Sequence, residues 1–280
     1  MNIVIFGETD DIHVNAVAEY LPDDVIIIDD EALTTDISIA ADIHGLPDVY
    51  LGDLLLKPTS IYWRNLNLYP FGTEDDDEIN NKLAAAKLFT QAFADAAWFN
   101  PVLPFTQHFT KIDQYRMANT LMPPTLMTNN YERAEAFIAE HSDVAVKPIA
   151  GGQYIERITS LDGLPEWVDG QPVCYQKFIV GTNVRTFVIG DEVYTADITT
   201  NYDDFRVDED FIYTPIETSP ALRKRALDIT KKLGYKWTAI DWIRTEDELY
   251  FLEANFSPMF LYFEEQTEFP ISQSLANMLV

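Results

Sequence analysis

A chain of 280 residues with 47% hydrophobic letters is long enough to bury a sizeable core and, at about 150 residues per domain, suggests roughly two units; this excludes disorder over most of its length. Nineteen basic residues against 46 acidic ones give a formal charge of −27, so a nucleic-acid backbone or an anionic membrane leaflet would be repelled over most of the surface, and neither is expected as a partner. Solubility or a saline habitat is the simple account of such acidity, and attraction of a basic partner such as a peptide the specific one.

Residues 2–6 read as a buried strand ended by Gly7, residues 12–21 have helical spacing, and 25–28 are strand-like again, the start of an α/β layer. No glycine fingerprint follows the first strand, so no dinucleotide site is expected there. Residues 60–64 form a further strand, and the acidic stretch 74–78 is predicted as a solvated loop before a helix over 79–98, which closes the first unit of about a hundred residues. Asn100-Pro101 and Pro104 punctuate that helix, and Pro123-Pro124 ends the next, 112–121. Then come a strand at 125–128, a helix at 131–140 and strands at 144–147, 153–158 and 173–179, the pattern of a small α+β module. The remainder, 186–198, 221–233, 238–244 and 249–254, mixes strands with one helix and ends in a helix from about residue 271.

The single cysteine, Cys174, lies in an apolar run, so no internal disulfide forms, and the chain reads as cytoplasmic. No signal or membrane segment is visible, and the four histidines show no zinc-ligand spacing.

In Val144-Ala145-Val146-Lys147-Pro148, strand alternation sets Lys147 on the side of Ala145, among apolar neighbours, where an ammonium needs an anionic partner. The following Ala150-Gly151-Gly152 turn exposes backbone N–H groups that form an anion nest, so lysine and turn together offer a phosphate grip; a structural lysine before a glycine turn is the competing reading. Near the C-terminus, Glu253 and Asn255 share a strand face, and a hairpin with the three-residue loop Glu246-Asp247-Glu248 sets Asp241 opposite Glu253. Three oxygen ligands then converge, as magnesium requires when it binds one or two carboxylates together with substrate phosphates. Satisfied polar residues at a sheet edge are the alternative, and a one-residue slip would turn Asp241 away.

From about residue 98 onward these elements, in this order, resemble the ATP-grasp ligases. Lys111 opening a helix before the Pro123-Pro124 strand matches the family's first nucleotide lysine, Lys147 its second, and Gly151-Gly152 its lid turn. Tyr175-Gln176-Lys177-Phe178-Ile179-Val180-Gly181 matches the hinge that holds adenine, Asn183-Val184-Arg185 the family arginine, and Asp241, Glu253 and Asn255 the metal motif. Lys177 stands where relatives often carry glutamate, so adenine recognition there falls to the backbone. Within the superfamily the chain is most similar to the graspetide (microviridin-type) peptide ligases: Ser60-Ile61-Tyr62-Trp63-Arg64 is similar to their aromatic-arginine strand, Asp204-Phe205-Arg206 to their Asp-x-Arg motif, and the segment from Phe260 through Ser272 to their closing segment.

The resemblance implies an ATP-grasp fold of mixed α/β and α+β class, with an N-terminal α/β pre-ATP-grasp domain (1–100), a small lid module (101–180) and a C-terminal catalytic module (181–280). It implies ATP and Mg²⁺: nucleotide contacts from Lys111, Lys147, Gly151, Gly152, Gln176, Lys177, Phe178 and Ile179, metal ligands Asp241, Glu253 and Asn255, substrate contacts from Asp204 and Arg206, and catalytic roles for Arg185 and Arg206. The expected partner is a precursor peptide with a leader and an acidic core, with a homodimer among the allowed assemblies. The expected reaction activates a carboxylate as an acyl phosphate and joins it to a side-chain hydroxyl or amine, closing ester or amide crosslinks. Two other readings stand beside it: addition of an amino acid to a protein or small metabolite, as by the ribosomal-protein glutamate ligases, and an ATP-grasp module that binds without turnover.

Overall fold

The computed structural model describes residues 2–42, 44–64, 88–99, 111–118, 120–149, 155–164 and 170–280. The first strand, Ile3–Phe6 (β1), is apolar at every position and buried at every position, the pattern of a strand covered on both faces. It pairs in parallel with Ile26–Ile28 (β2). A small antiparallel sheet follows, Ile37–Ala40 (β3), Asp48–Leu51 (β4) and Leu54–Leu55 (β5). Ser60–Trp63 (β6) then returns beside β1, and Ala97–Phe99 (β7) beside β6, so the first sheet runs β2-β1-β6-β7 and is parallel throughout.

Strand β7 corrects the expected helix over 79–98. Residues 88–92 are helical, the chain turns at 93–96, and Trp98 pairs with Ile61 in a strand; the tertiary ladder overrides the local helical spacing. The first part of that helix, the acidic stretch 74–78 and the Gly151-Gly152 turn lie outside the described residues.

The second sheet is antiparallel: Thr125–Thr128 (β8), Val144–Pro148 (β9), Glu156–Ile158 (β10) and Val173–Lys177 (β11), in the order β10-β9-β11-β8. The helix Tyr131–His141, capped by the Asn130 side chain accepting from the Arg133 N–H (2.9 Å), packs Ala134 and Ile138 against it. The third sheet runs β14-β13-β12-β15-β16, from Thr182–Ile189 (β12), Glu192–Thr199 (β13), Ile212–Ile216 (β14), Trp237–Arg244 (β15) and Leu249–Asn255 (β16). The tight β12-β13 turn is made by Gly190 at φ 57°. The two faces of this sheet differ: Ile240 and Trp242 pack with Leu222, Ala226 and Ile229 of the helix Pro220–Lys232, whereas Trp237 and Ala239 join the helices Leu261–Thr267 and Ile271–Leu279.

That second face shares a core with the first sheet. Ile3, Ile5 and Tyr62 belong to the cluster that holds Phe187, Trp237, Phe260 and Phe263, with Tyr62 edge-on to Trp237 at 6.0 Å. His13 is buried in the same seam. Its Nδ1 accepts from the Phe260 N–H (3.5 Å), and its Nε2 has no hydrogen-bond partner among the described residues. Burial and then the Arg64 charge push its pKa down to about 4. The folded state thus holds His13 neutral, whereas the unfolded chain takes up a proton near pH 6.5. Stability that is full above about pH 6.5 is therefore expected to fall as the pH drops toward 4. Urea midpoints across that range measure it, and the decline is expected to be shallower in His13→Leu.

Between the second and third sheets, Gly181 lies close against the end of β15: a Cβ there would lie 2.5 Å from the Arg244 carbonyl oxygen and 2.7 Å from Ile243 Cγ2. Gly181→Ala is expected to cost about 1–3 kcal/mol, read as a lowered urea midpoint, since backbone rather than a flexible side chain must give way. Among the described residues no helix is long and apolar enough to cross a membrane.

Candidate active site

The site grows from the hairpin β15-β16. The loop between the strands is four residues, 245–248, closed by the Thr245 N–H donating to Glu248 O (2.9 Å), one longer than the expected three. With that loop and a regular ladder, Leu252 would face Asp241. The register instead shifts between Asp241 and Trp242, and Glu253 comes opposite Asp241. The bulge restores the pairing expected from sequence by a different route, and it aims Glu253 at the cavity, a use of bulges common beside functional sites.

Asp241 is held on two sides. Arg185, its direct partner on β12, donates through Nε (2.7 Å) and Nη2 (2.8 Å) to the two carboxylate oxygens, and through Nη1 to Tyr213 OH (3.1 Å). Asn255 Nδ2 donates to Asp241 Oδ2 (3.3 Å). Burial would lower the Arg185 pKa, but the Asp241 charge, together with Tyr213 and the hydrogen bonds to both, raises it. Glu253 is ion-paired with Lys111 at the start of the helix Lys111–Ala118. Burial alone would raise the Glu253 carboxyl; the Lys111 and Lys147 charges win and hold it at about 2. One turn along the same helix, Gln114 grips the backbone of β16 from both sides, donating to Ala254 O (2.8 Å) and accepting from the Ala254 N–H (2.9 Å).

Lys147 comes from the facing sheet. It is buried, and its Nζ donates to Gln176 Oε1 (2.7 Å). Burial, followed by the like charge of Lys111, lowers its pKa. Asp204 and Arg206 lie in a short 3₁₀ turn: Arg206 donates through Nε (2.8 Å) and Nη2 (2.6 Å) to Asp204, which also accepts from the Ile155 N–H (3.1 Å). Burial opposes ionisation of Asp204, and the Arg206 hydrogen bonds overcome it, leaving its pKa lowered.

These groups line one cavity of about 290 Å³, in which Lys111, Lys147 and Arg206 face Asp241, Glu253 and Asn255. A second cavity of about 200 Å³ shares Lys147, Asn183 and Leu252 with it and is walled by Gln176, Lys177, Phe178, Ile179 and Val180. Of the residues singled out from sequence, Arg185 does not line either cavity; its guanidinium stands on Asp241, over the Phe205 ring at 5.1 Å. Lys177 is exposed, its N–H donating to Pro124 O (2.8 Å), and the Phe178 N–H donates to Asp143 O (2.9 Å). Gln114, Asn183, Ile155 and Arg157 were not foreseen. Gln114 and Asn183 had a usable signal: Gln114 falls three residues after Lys111 on one helix face, and Asn183 two before Arg185 on one strand face. Asp203 and Asp143 bracket Arg157 (3.1 and 2.7 Å), whose guanidinium covers the Phe178 ring at 4.2 Å.

Among the described residues no group of three or more His, Cys, Asp and Glu side chains gathers as a metal cage. The trio here is two carboxylates and one amide, all hard oxygen donors, a set that suits Mg²⁺ when phosphate oxygens supply the rest.

Comparison with known proteins places this arrangement. The family of RimK-like ATP-grasp domains matches residues 116–279. Tetrahydromethanopterin:alpha-L-glutamate ligase of Methanocaldococcus jannaschii is 26% identical over an alignment of 179 residues that covers 58% of this chain and 62% of that ligase, so less than two thirds of that relative is spanned. Among solved structures, the ATP-grasp ligase PsnB complexed with a phosphomimetic variant of its minimal precursor, Mg and ADP superposes with a TM-score of 0.84 at 26% identity, over 99% of this chain and 97% of that one. The macrocyclase MdnC bound with precursor peptide MdnA, from Microcystis aeruginosa MRC, superposes with a TM-score of 0.82 at 22% identity, over 100% and 99% of the two chains. The mixed α/β architecture is thus the ATP-grasp fold.

Proposed function

The chain belongs to the RimK-like ATP-grasp family, and on that premise we propose that it is an ADP-forming ligase that activates a carboxylate of a peptide and joins it to a hydroxyl or amine side chain. The observation that carries the reading is the polar cavity itself, where Lys111, Lys147 and Arg206 share the lining with four carboxylates (Asp203, Asp204, Asp241 and Glu253) and the Asn255 amide, beside a second cavity walled by Phe178 and Ile179. A triphosphate suits the first and a purine the second. The complex of PsnB with precursor, Mg and ADP supports the same choice of ligands.

In this reading Lys111 and Lys147 bind the phosphate chain, and Phe178 and Ile179 hold the base. Asp241, Glu253 and Asn255 hold Mg²⁺, which when bound neutralises charge on the phosphates. Arg185 holds Asp241 oriented through two hydrogen bonds. Arg206 meets the substrate carboxylate with two parallel hydrogen bonds, which requires it to exchange Asp204 for substrate. The carboxylate oxygen attacks the γ-phosphorus, ADP leaves, and the hydroxyl or amine then displaces phosphate. Water must be kept from the acyl phosphate throughout. We assign residues 1–100 to the pre-ATP-grasp domain, 101–180 to the lid module and 181–280 to the catalytic module, and a leader-bearing acidic precursor as the partner.

Incubation with ATP, Mg²⁺ and an acidic peptide carrying threonine or lysine tests it. Release of ADP and phosphate that depends on the peptide, with loss of one water mass per bond, is expected; nucleotide binding without turnover under any acceptor would contradict it. The 26% identity to a glutamate ligase favours one alternative, addition of an amino acid, which would raise the acceptor mass instead.

A further inference from the structure

Of the three cations lining the polar cavity, Lys111 and Arg206 are met by carboxylates, whereas the hydrogen-bond partner of Lys147 is a neutral amide. That amide is not loose. Gln176 lies directly opposite Thr125 across the β11-β8 ladder, so the two side chains share a face, and Gln176 Nε2 donates to Thr125 Oγ1 (2.8 Å). Thr125 Oγ1 in turn donates its only proton to the Pro123 carbonyl (2.7 Å). A carbonyl can only accept and a hydroxyl has one proton to give. The chain of bonds therefore has a fixed direction: Thr125 must accept from Gln176, the amide NH₂ must point at Thr125, and the amide oxygen must face Lys147. Both Lys147 and Gln176 are buried, at 7% and 3% exposure, so water does not compete freely for either.

We propose that Gln176 is a positioning residue for Lys147, holding its ammonium over the cavity through a neutral acceptor while Thr125 sets the amide's orientation. This reassigns the Gln176 side chain from the adenine hinge and rests on the reading of the cavity as a nucleotide site. The choice of amide over carboxylate has a chemical reason. A glutamate at 176 would hold the ammonium as well but would neutralise it, and could not donate to Thr125 when ionised. The amide aims the charge and leaves it for phosphate. Leucine at 176 would take from a buried ammonium the acceptor it has among the described residues, and valine at 125 would remove the group that keeps the amide from turning its NH₂ toward Lys147.

Calorimetric titration of the full chain with ADP in the presence of Mg²⁺ tests this, each variant's melting temperature being read alongside. Lys147→Met, Gln176→Leu and Gln176→Glu are each expected to weaken ADP by about tenfold or more, and Thr125→Val by several-fold, whereas Thr125→Ser, which keeps the hydroxyl, retains affinity. The double variant Lys147→Met/Gln176→Leu is expected to bind no more weakly than Lys147→Met alone, because the glutamine acts through the lysine. Losses that add in the double variant, or Thr125→Val binding as tightly as Thr125→Ser, overturn the positioning role and leave the nucleotide reading intact. Undiminished affinity in Lys147→Met overturns the nucleotide reading and the positioning role with it. The Thr125 pair decides the question should Gln176→Leu fail to fold.

Discussion

Glu253→Gln is expected to lower turnover by about 10²–10³ or more, the scale of losing one preorganised electrostatic partner of a reacting group, while the chain stays folded. Three roles converge on this carboxylate. It is one of the two charged oxygen donors of the candidate metal set, it is the ion-pair partner of Lys111, and its charge also offsets that of Lys147. Glutamine keeps the shape and one acceptor oxygen but removes the charge, so two buried ammonium groups are left to repel each other. The same variant is expected to lose about 3 kcal/mol of stability, the lower end of what breaking a buried pair costs. The pH dependence has a definite sign. The folded carboxyl is held at about 2, below its ordinary value near 4.3. Its contribution is therefore full above that ordinary value and lost as the pH falls toward 2, and Glu253→Gln is expected to flatten that part of the acid limb. Single-turnover ADP release and urea unfolding at several pH values measure the two effects separately.

Arg64→Met is expected to be the most destabilising single change outside the cavity, by about 3–5 kcal/mol, because it orphans several buried groups at once. Arg64 follows β6 in the first sheet and is 5% exposed. Its Nη1 donates to Ser257 O (2.9 Å), Ser257 Oγ (2.9 Å) and Pro258 O (3.1 Å), its Nε faces Asp11 Oδ2 (3.3 Å), and Ser257 Oγ donates back to Arg64 O (2.6 Å). Asp11 is also the N-cap of the helix Ile12–Ala18, accepting from the His13 N–H (2.7 Å). One guanidinium thus ties the first helix and first sheet to the segment immediately after Asn255. Methionine fills much of the volume and supplies no donor, leaving the Asp11 carboxylate and three acceptors of the 257–258 segment without it. Thermal and urea unfolding read the loss. A weaker ADP affinity in the same variant is expected as well, since Asn255 is two residues from the released segment; Arg64→Lys is expected to recover only part of either, because a single ammonium lacks the fork.

Much of this was legible before any coordinates. Strand alternation placed Glu253 and Asn255 on one face, and the opposition of Asp241 and Glu253 was expected, although the loop is one residue longer and a bulge makes up the difference. A bulge leaves no mark in a single sequence, so the right register came from a slightly wrong loop. Glycine, proline and apolar runs located β8 to β11 to within a few residues. The misses are of two kinds. The end of the helix expected over 79–98 gave way to β7 because a parallel ladder with β6 decides there, and β14 was passed over although it pairs along its length with β13. Strand β3 was passed over as well, although Ile37-Ser38-Ile39-Ala40 shows period-two alternation that carries the signal. The second kind concerns side chains whose partners are remote. Arg64 finds its acceptors 193 residues away, and Gln176 sits beside Lys147 only because the sheet order is β9-β11-β8. Chemistry of that sort belongs to the topology, and a motif string does not carry it.

The central claim is that one cavity between the second and third sheets takes the phosphates of a nucleotide with a magnesium ion. A crystal structure of the full chain grown with ADP and Mg²⁺ tests this most directly. The account predicts phosphate oxygens on Lys111 and Lys147, the ion on Asp241, Glu253 and Asn255, and the base against Phe178 and Ile179. A nucleotide bound elsewhere, with Lys111 still on Glu253 and Lys147 facing no phosphate, would contradict it.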